Sequence, residues 1–345
     1  MVAVAAADRV RPDQECLSRM SDIAEPLISI ALCTYNGERY LGEQLDSLLA
    51  QTYSNLEIVA VDDGSTDRTV EVLRQYEQRD ARLRVIVNPQ NVGFTRNFER
   101  AFALCQGVFV APCDQDDIWS PDKLRTLARC IGEHSMAYCD SELVDAAGRS
   151  VGKSISQIWS LQDLDDPVAF SFDNCVSGHA MLFRRDLLAQ QPQLPVEMFH
   201  DWWLALWATV NGGIVYCPER LVRYRQHGQN VTDLLRVRHG RVRRPPGARM
   251  KAFDTTTRRL RYLATLRSPH GEFFSELHRL WVKSESAWFA PDLVLFMLRH
   301  WRRIYRLRKK QGFSALRKVM SHIFGLRLRR LVKPTKYARL VSSTR

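Results

Sequence analysis

No Cys-x-x-Cys pair occurs among the eight cysteines, Cys16, Cys33, Cys105, Cys113, Cys130, Cys139, Cys175 and Cys217. Thiolate zinc sites need such close pairs, and several of these residues sit in apolar, strand-like runs where a reduced thiol packs as a small hydrophobe. Neither a zinc site nor a disulfide framework is expected. No GxGxxG and no GxxxxGK[ST] follows the first strand-like run, so a nucleotide bound here is not held by either glycine-rich phosphate loop. No apolar run approaches the roughly 20 residues of a spanning helix. The opening Met1–Asp8 lacks a basic region and a long enough apolar stretch for a signal peptide, so a cytoplasmic location is expected. Acid is the last scarcity. After Asp292 there are 16 Lys and Arg and no Asp or Glu; removing those 16 from the 50 bases leaves 34 against 38 acids. The formal charge of +12 therefore belongs to the end of the chain, behind a mildly acidic body. Basic tails of this kind seek anionic surfaces: membrane, nucleic acid or an acidic partner.

With 45% hydrophobic and 26% charged residues, the chain can bury one large core, or one core with an appendage. Leu27–Leu32, Leu56–Val61, Leu83–Val87 and Val108–Ala111 read as strands, and residues 40–50, 67–79, 95–105 and 121–133 as helices. Strand followed by helix, four times over, predicts a parallel βαβ sheet, with ligands beyond the carboxyl ends of the strands. Polar clusters fall there. Thr34, Tyr35 and Asn36 follow the first strand, Asp62 to Asp67 the second, Asn88 to Asn97 the third and Asp114 to Asp117 the fourth.

Three carboxylates in the four positions Asp114 to Asp117 repel one another unless a cation sits among them. Oxygen ligands suit a hard ion, Mg2+ or Mn2+; the bland alternative is a solvated turn before a helix opened by Ser120-Pro121. In Asp62-Asp63-Gly64-Ser65, a carboxylate can accept from a base N–H or a ribose hydroxyl, and Gly64 permits the tight turn. The ligand role is assigned to Asp63, and capping of the next helix to Thr66 and Asp67.

Cys33-Thr-Tyr-Asn-Gly37, Val61-Asp-Asp-Gly-Ser-Thr-Asp67, Asn91-Val-Gly-Phe-Thr-Arg-Asn97, Asp114-Gln-Asp-Asp-Ile-Trp-Ser-Pro-Asp-Lys-Leu124, His200-Asp-Trp-Trp203 and Tyr224-Arg-Gln-His-Gly-Gln-Asn230 stand in that order. The series resembles the motifs of inverting family-2 glycosyltransferases with the GT-A fold, and its rhamnosyltransferase-like branch in particular. It covers about residues 26–232. The resemblance implies an α/β fold of GT-A type: a mixed, mainly parallel sheet flanked by helices, followed here by a basic helical C-terminal extension. It implies a nucleotide-sugar donor (a dTDP- or UDP-sugar) bound by Thr34, Tyr35, Asn36, Asp63, Arg96 and Asp114. It further implies a divalent ion on Asp116, with Asp114 as a metal or ribose contact and His227 reaching the metal, and a catalytic base at Asp201. Asp117 would stand behind the metal ligands; Asp140 or Glu142 would be next in line as base.

The expected organisation is an N-terminal extension (1–25), the GT-A domain (26–232) and a basic, mainly helical region (233–345). His179 lies in an apolar stretch, where a lone histidine is more often a core residue. Trp202 is either a sugar platform or core, and core is favoured for a tryptophan at helical spacing. Arg225 and His227 sit in a basic run from which either could reach phosphate. Trp301, Ile304, Tyr305 and Arg308, with Leu295, Phe296 and Leu298, form a basic amphipathic helix. An anionic membrane surface is its first assignment, a helical cap on the catalytic domain the alternative, and nucleic acid the last. The whole protein reads as a metal-dependent inverting glycosyltransferase acting on a saccharide or lipid-linked saccharide, peripheral on the inner face of the cytoplasmic membrane. The alternative is a non-catalytic nucleotide- or saccharide-binding module on the same fold.

Overall fold

The computed structural model describes residues 25–189, 194–195, 198–228, 230, 234, 248–265, 269–309 and 313–332. The N-terminal extension, apart from residue 25, and the boundary at 232/233 lie outside them. In order, the chain forms β1 (Ile28–Thr34), α1 (Glu38–Leu49), β2 (Leu56–Asp62), α2 (Thr69–Arg79), β3 (Leu83–Val87), α3 (Phe94–Leu104) and β4 (Phe109–Cys113). These are the four strands and first three helices that the periodicity predicts. After them come β5 (Ile118–Trp119), α4 (Lys123–Cys130), β6 (Met136–Val144), β7 (Ser150–Ser154), α5 (Ile155–Ile158), β8 (Met181–Arg184), α6 (Asp186–Ala189), α7 (His200–Val210) and β9 (Ile214–Arg225). Five helices follow: α8 (Ala248–Thr265), α9 (Gly271–Ser286), α10 (Pro291–Ile304), α11 (Phe313–Met320) and α12 (Leu326–Val332).

One sheet runs β3-β2-β1-β4-β8-β6-β9-β5, with β7 beside β6. Its first half is parallel: β1 pairs with β2 and β4, and β2 with β3. The second half mixes directions, since β8 is antiparallel to β4 and β6 while β6 and β9 are parallel. All seven residues of β1 are buried, as a strand covered on both faces must be. Ile28, Ile30 and Leu32 pack with Leu41, Leu45 and Leu48 of α1 on one face. Ala31 and Cys33 pack with Phe98, Ala101 and Phe102 of α3 on the other. The chain leaves β1 in one direction for β2 and β3, then returns to its other side for β4. That reversal opens a crevice at the strands' carboxyl ends.

Two expectations are corrected here. Cys130 of α4 and Cys217 of β9 form a disulfide across 87 residues of sequence, a long-range pairing that no local spacing announces. The apolar side of the basic amphipathic helix does not face outward. Leu293, Val294, Met297, Ile304, Tyr305 and Leu307 are buried in the same core as α3 and α7. Its bases reach acids of the body: Arg303 to Asp166 at 2.6 Å, Arg306 to Asp165 at 3.2 Å and Arg308 to Asp173 at 2.5 Å. Ile304 and Tyr305 are therefore not free to enter a bilayer. On this helix Leu295 faces outward, and other outward-facing apolar groups lie at Trp288, Phe289, Phe324, Leu331 and Val332. Each buried aliphatic or aromatic side chain contributes about 1.5–3 kcal/mol, so six contribute about 9–18 kcal/mol, as much as the roughly 5–15 kcal/mol net stability of a whole domain. Cutting the chain after Asp292 should therefore give insoluble protein, which soluble yield and a thermal melt would check.

Candidate active site

A cleft of about 640 Å³ opens at the reversal point. Thr34, Tyr35, Asp63, Asp114, Asp116 and Asp201 all line it, which brings together residues drawn from four separate motifs. The nucleotide side is built from strand ends. Thr34 donates to Asp62 at 2.8 Å, and Asp62 also accepts from the Ser65 backbone N–H and hydroxyl, so Asp62 holds the turn. Gly64 has φ +73°, the left-handed region where a side chain is strained. Asp63 is buried and accepts from Asn88 Nδ2, Val92 N–H and Gly93 N–H at 2.8–2.9 Å. Its carboxylate is thus fixed in direction before any ligand arrives. Tyr35 and Gln115 exchange two hydrogen bonds that join the first rim loop to the acidic one. Asn36 instead ties Thr66 and Ser65 across the rim, and is not among the cleft-lining residues. Arg96 is not among them either; it pairs with Glu99 at 2.5 Å. The capping of α2 falls to Asp67, which accepts from Thr69, while Thr66 serves Asn36.

The acidic loop is held from beneath. Arg225, buried at the end of β9, donates through Nε to the Asp116 carbonyl and through Nη2 to Glu43, while its backbone N–H meets Asp117 Oδ1. The guanidinium is thereby spent inside the protein and does not reach into the cleft for phosphate, contrary to the sequence expectation. His227 does meet the loop: its Nε2 lies 2.7 Å from Asp116 Oδ2. Burial, then the like charges of Asp116 and Asp201, push Asp114 up to about 7. Burial also pushes Asp117 well above the carboxylate range; its Oδ2 has no hydrogen-bond partner among the described residues and lies 3.5 Å from His179 Nδ1. Lys123 is buried close by, donates to the His179 carbonyl at 2.6 Å, and is held down to about 7, chiefly by burial. Asp114, Asp117 and His179 gather possible ligand atoms within 4.8 Å of one another. Asp117 is closed off by packing, whereas Asp114, Asp116 and His179 line the cleft, so ligand atoms for an ion could come from the Asp114–His179 side or from Asp116 with His227 behind it. Sequence reasoning missed Lys123 altogether and left His179 unassigned. Both are ordinary in local pattern, and only the tertiary contacts give them their surroundings.

Asp201 opens α7 with its carboxyl in the cleft, accepting from the Trp202 backbone N–H at 2.6 Å and from Gly178. Burial lifts its pKa to about 7, against the backbone hydrogen bonds that lower it. Asp114 feels its charge, so the two carboxyls are neighbours across the cleft. His200 stacks on Phe98 at 3.8 Å and is held neutral by burial, near 3. Asp140 and Glu142 are otherwise engaged: Asp140 is buried and accepts from Ser141 and Ser156, and Glu142 accepts from Ser150. Neither lines the cleft. Trp202, read from sequence as core, is partly exposed and lines it, whereas Trp203 is the buried one.

The family description "Glycosyl transferase family 2" matches residues 29–190. An uncharacterized glycosyltransferase of Haemophilus influenzae is 28% identical over 222 residues, covering 61% of this chain and 68% of that protein. Further curated relatives are matched over 45–66% of their own length. Among solved structures, S. aureus TarS 1-349 in complex with UDP-GlcNAc is similar with TM-score 0.55 and 17% identity, over 91% of this chain and 93% of that one. The mannosyltransferase PcManGT from Pyrobaculum calidifontis, in complex with GDP-Man and Mn2+, gives 0.50 and 16%, over 91% and 84%. At such identities the likeness to solved structures is one of fold.

Proposed function

We propose, from the match of residues 29–190 to glycosyl transferase family 2, that the protein moves a sugar from a nucleoside-diphosphate donor to a saccharide hydroxyl by one inverting displacement, with Asp201 as base. The observation that carries this reading is geometric: the half-buried Asp201 carboxyl lines the same cleft as Thr34, Asp63 and the acidic loop, in surroundings that raise its pKa to about 7. A general base works best with a pKa near the working pH, and burial supplies that here. The nucleotide would lie over Thr34, Tyr35 and Asp63, whose carboxylate retains a lone pair for a base N–H or ribose hydroxyl. Asn36 and Arg96 would act from outside the lining, by shaping the rim.

The acidic loop fits a divalent ion. Asp116 Oδ2 and His227 Nε2 are 2.7 Å apart, near the spacing of about 3 Å for two ligands on one ion with bonds of about 2.1 Å. Asp114 would be a metal or ribose contact. Mg2+ or Mn2+ is the reading. Such an ion, when bound, neutralises charge on the leaving diphosphate. Arg225 fixes the loop that presents Asp116, and Asp201 takes the acceptor's proton as its oxygen bonds to the anomeric carbon. The donor is a dTDP- or UDP-sugar, with rhamnose as one candidate, and the acceptor a saccharide or lipid-linked saccharide of a surface polysaccharide. No helix among the described residues is long and apolar enough to cross a membrane. Attachment to an anionic membrane surface would use Phe289, 59% exposed, and Leu331, 68% exposed, with Arg327, which lies 4.8 Å over the Trp288 ring. Nucleic acid is not proposed as a partner. Incubation with a panel of nucleotide sugars and Mn2+ tests the function: one donor should release nucleoside diphosphate, faster with an acceptor present. Binding of nucleotide with no release from any donor would favour the non-catalytic module.

A further inference from the structure

The cleft changes character along its length. On the nucleotide side its lining comes from the strand ends and the start of α3, polar groups with Phe94 and Phe98 among them. Beyond Asp201 it becomes aromatic, with Trp159, Phe172 and Trp202 around Asp173. Each of these four residues is anchored, and the C-terminal region, its helices or the segment after α10, takes part every time. Trp159 forms a β-bridge with Arg308, and the next backbone N–H, of Ser160, donates to the Leu307 carbonyl at 2.9 Å. The Phe172 ring lies 5.5 Å from Trp281 and 6.3 Å from Tyr305. Trp202 donates from Nε1 to the Phe170 carbonyl, and the Arg259 guanidinium sits 3.9 Å from its ring centre. Asp173 accepts from Arg308 through both oxygens, at 2.6 and 2.5 Å.

We propose that this end of the cleft is the binding site for a neutral sugar ring of the acceptor, with Trp159, Phe172 and Trp202 as its apolar faces and Asp173 as its hydroxyl acceptor. The inference deepens the transferase reading and rests on it for the direction of transfer. A pyranose has an apolar C–H face and a rim of hydroxyls, which an aromatic wall with one carboxylate matches. Arg308 neutralises that carboxylate and fixes its orientation while leaving lone pairs for hydroxyl donors. Asp173, already paired with Arg308, can only accept, so it suits a hydroxyl donor, which a deprotonated uronic acid or phosphate lacks at the modified position. Arg259 has no hydrogen-bond partner on Nε and acts through the ring it covers, a desolvated cation–π contact. Arg259, Trp281, Tyr305, Leu307 and Arg308 all lie beyond the segment 29–190 that the family shares. Acceptor choice would therefore be set partly by the C-terminal helices, with Arg308 and Arg259 as positioning residues.

The test uses the full chain with Mn2+ and UDP or dTDP, and saturation-transfer NMR with two probe sets: neutral methyl hexosides and 6-deoxyhexosides, and the corresponding uronides and 6-phosphates. At least one neutral glycoside should bind, and none of the anionic ones more tightly. Trp159→Leu should weaken that glycoside about tenfold, the scale of one lost ring contact. Arg308→Lys, which keeps a cation but not the paired hydrogen bonds, should weaken it less, and in both the loss should fall on the glycoside rather than on the nucleotide. Glycoside binding without turnover of any nucleotide sugar would support the subsite and defeat the transferase reading. Preference for the anionic probes, no binding of any neutral one, unchanged affinity in both variants, or an equal loss of nucleotide affinity in Arg308→Lys would overturn the proposal.

Discussion

Asp201→Asn should cut turnover at saturating donor and acceptor by about 10²–10⁴ while leaving nucleotide affinity within a small factor. Asparagine keeps the shape and can still accept from the Trp202 and Gly178 backbone, but it cannot take the acceptor proton. Two further readouts separate this from damage to the fold. In the wild type, kcat/KM should rise with pH through about 7, where Asp201 loses its proton; the variant should lack that limb. Stability should move the other way. The folded pKa of Asp201 lies above the ordinary carboxylate value because burial disfavours the charged form. Its contribution is therefore fully present below about pH 4 and lost as pH rises through about 7. At pH 8 the variant, free of that burden, should be more stable by about 1–3 kcal/mol, a rise of a few degrees in Tm. Lost turnover with lost stability would point to a structural role instead.

Asp116→Ala should abolish transfer and weaken nucleoside-diphosphate binding in Mn2+ by about 10²-fold or more, while binding measured in excess chelator changes little. The side chain stands between His227 and the cleft, with Arg225 holding only its backbone carbonyl, so the alanine variant keeps the loop and loses a ligand. Titration calorimetry with and without Mn2+ reads this without any need for turnover. An unaltered Mn2+ dependence would move the ion elsewhere, and the Asp114, Asp117 and His179 cluster would be examined next.

What the sequence revealed and what it hid divide along physical lines. The four βα units were legible because each strand is a continuous apolar run and each helix an apolar stripe, and both patterns survive in isolation. Thr34, Asp63, Asp114 and Asp116 were legible as one cleft because loops after parallel strands share one rim; Asp201, on α7 beyond β8, was placed there only by the resemblance. The mixed half of the sheet was not legible: β5 is two residues long, and β8 and β9 depend on partners far away in sequence. Periodicity showed that the helix around Trp301 has an apolar face, but not what covers it. A lipid surface and the core beneath α10 ask for the same side chains. Arg225 reads as a phosphate ligand because a sequence cannot tell a guanidinium turned inward onto Glu43 from one turned toward solvent. Lys123 stayed hidden for the same reason, as a charge in the first turn of a helix that happens to face the core.

The central claim is a single displacement at one anomeric carbon, with Asp201 as base. Proton NMR of the running reaction, with the donor identified by the panel, tests it most directly. The newly formed glycoside should appear from the first turnovers with anomeric configuration opposite to the donor's. A product that forms with the donor's configuration would require two displacements or a front-face path, and would contradict the account.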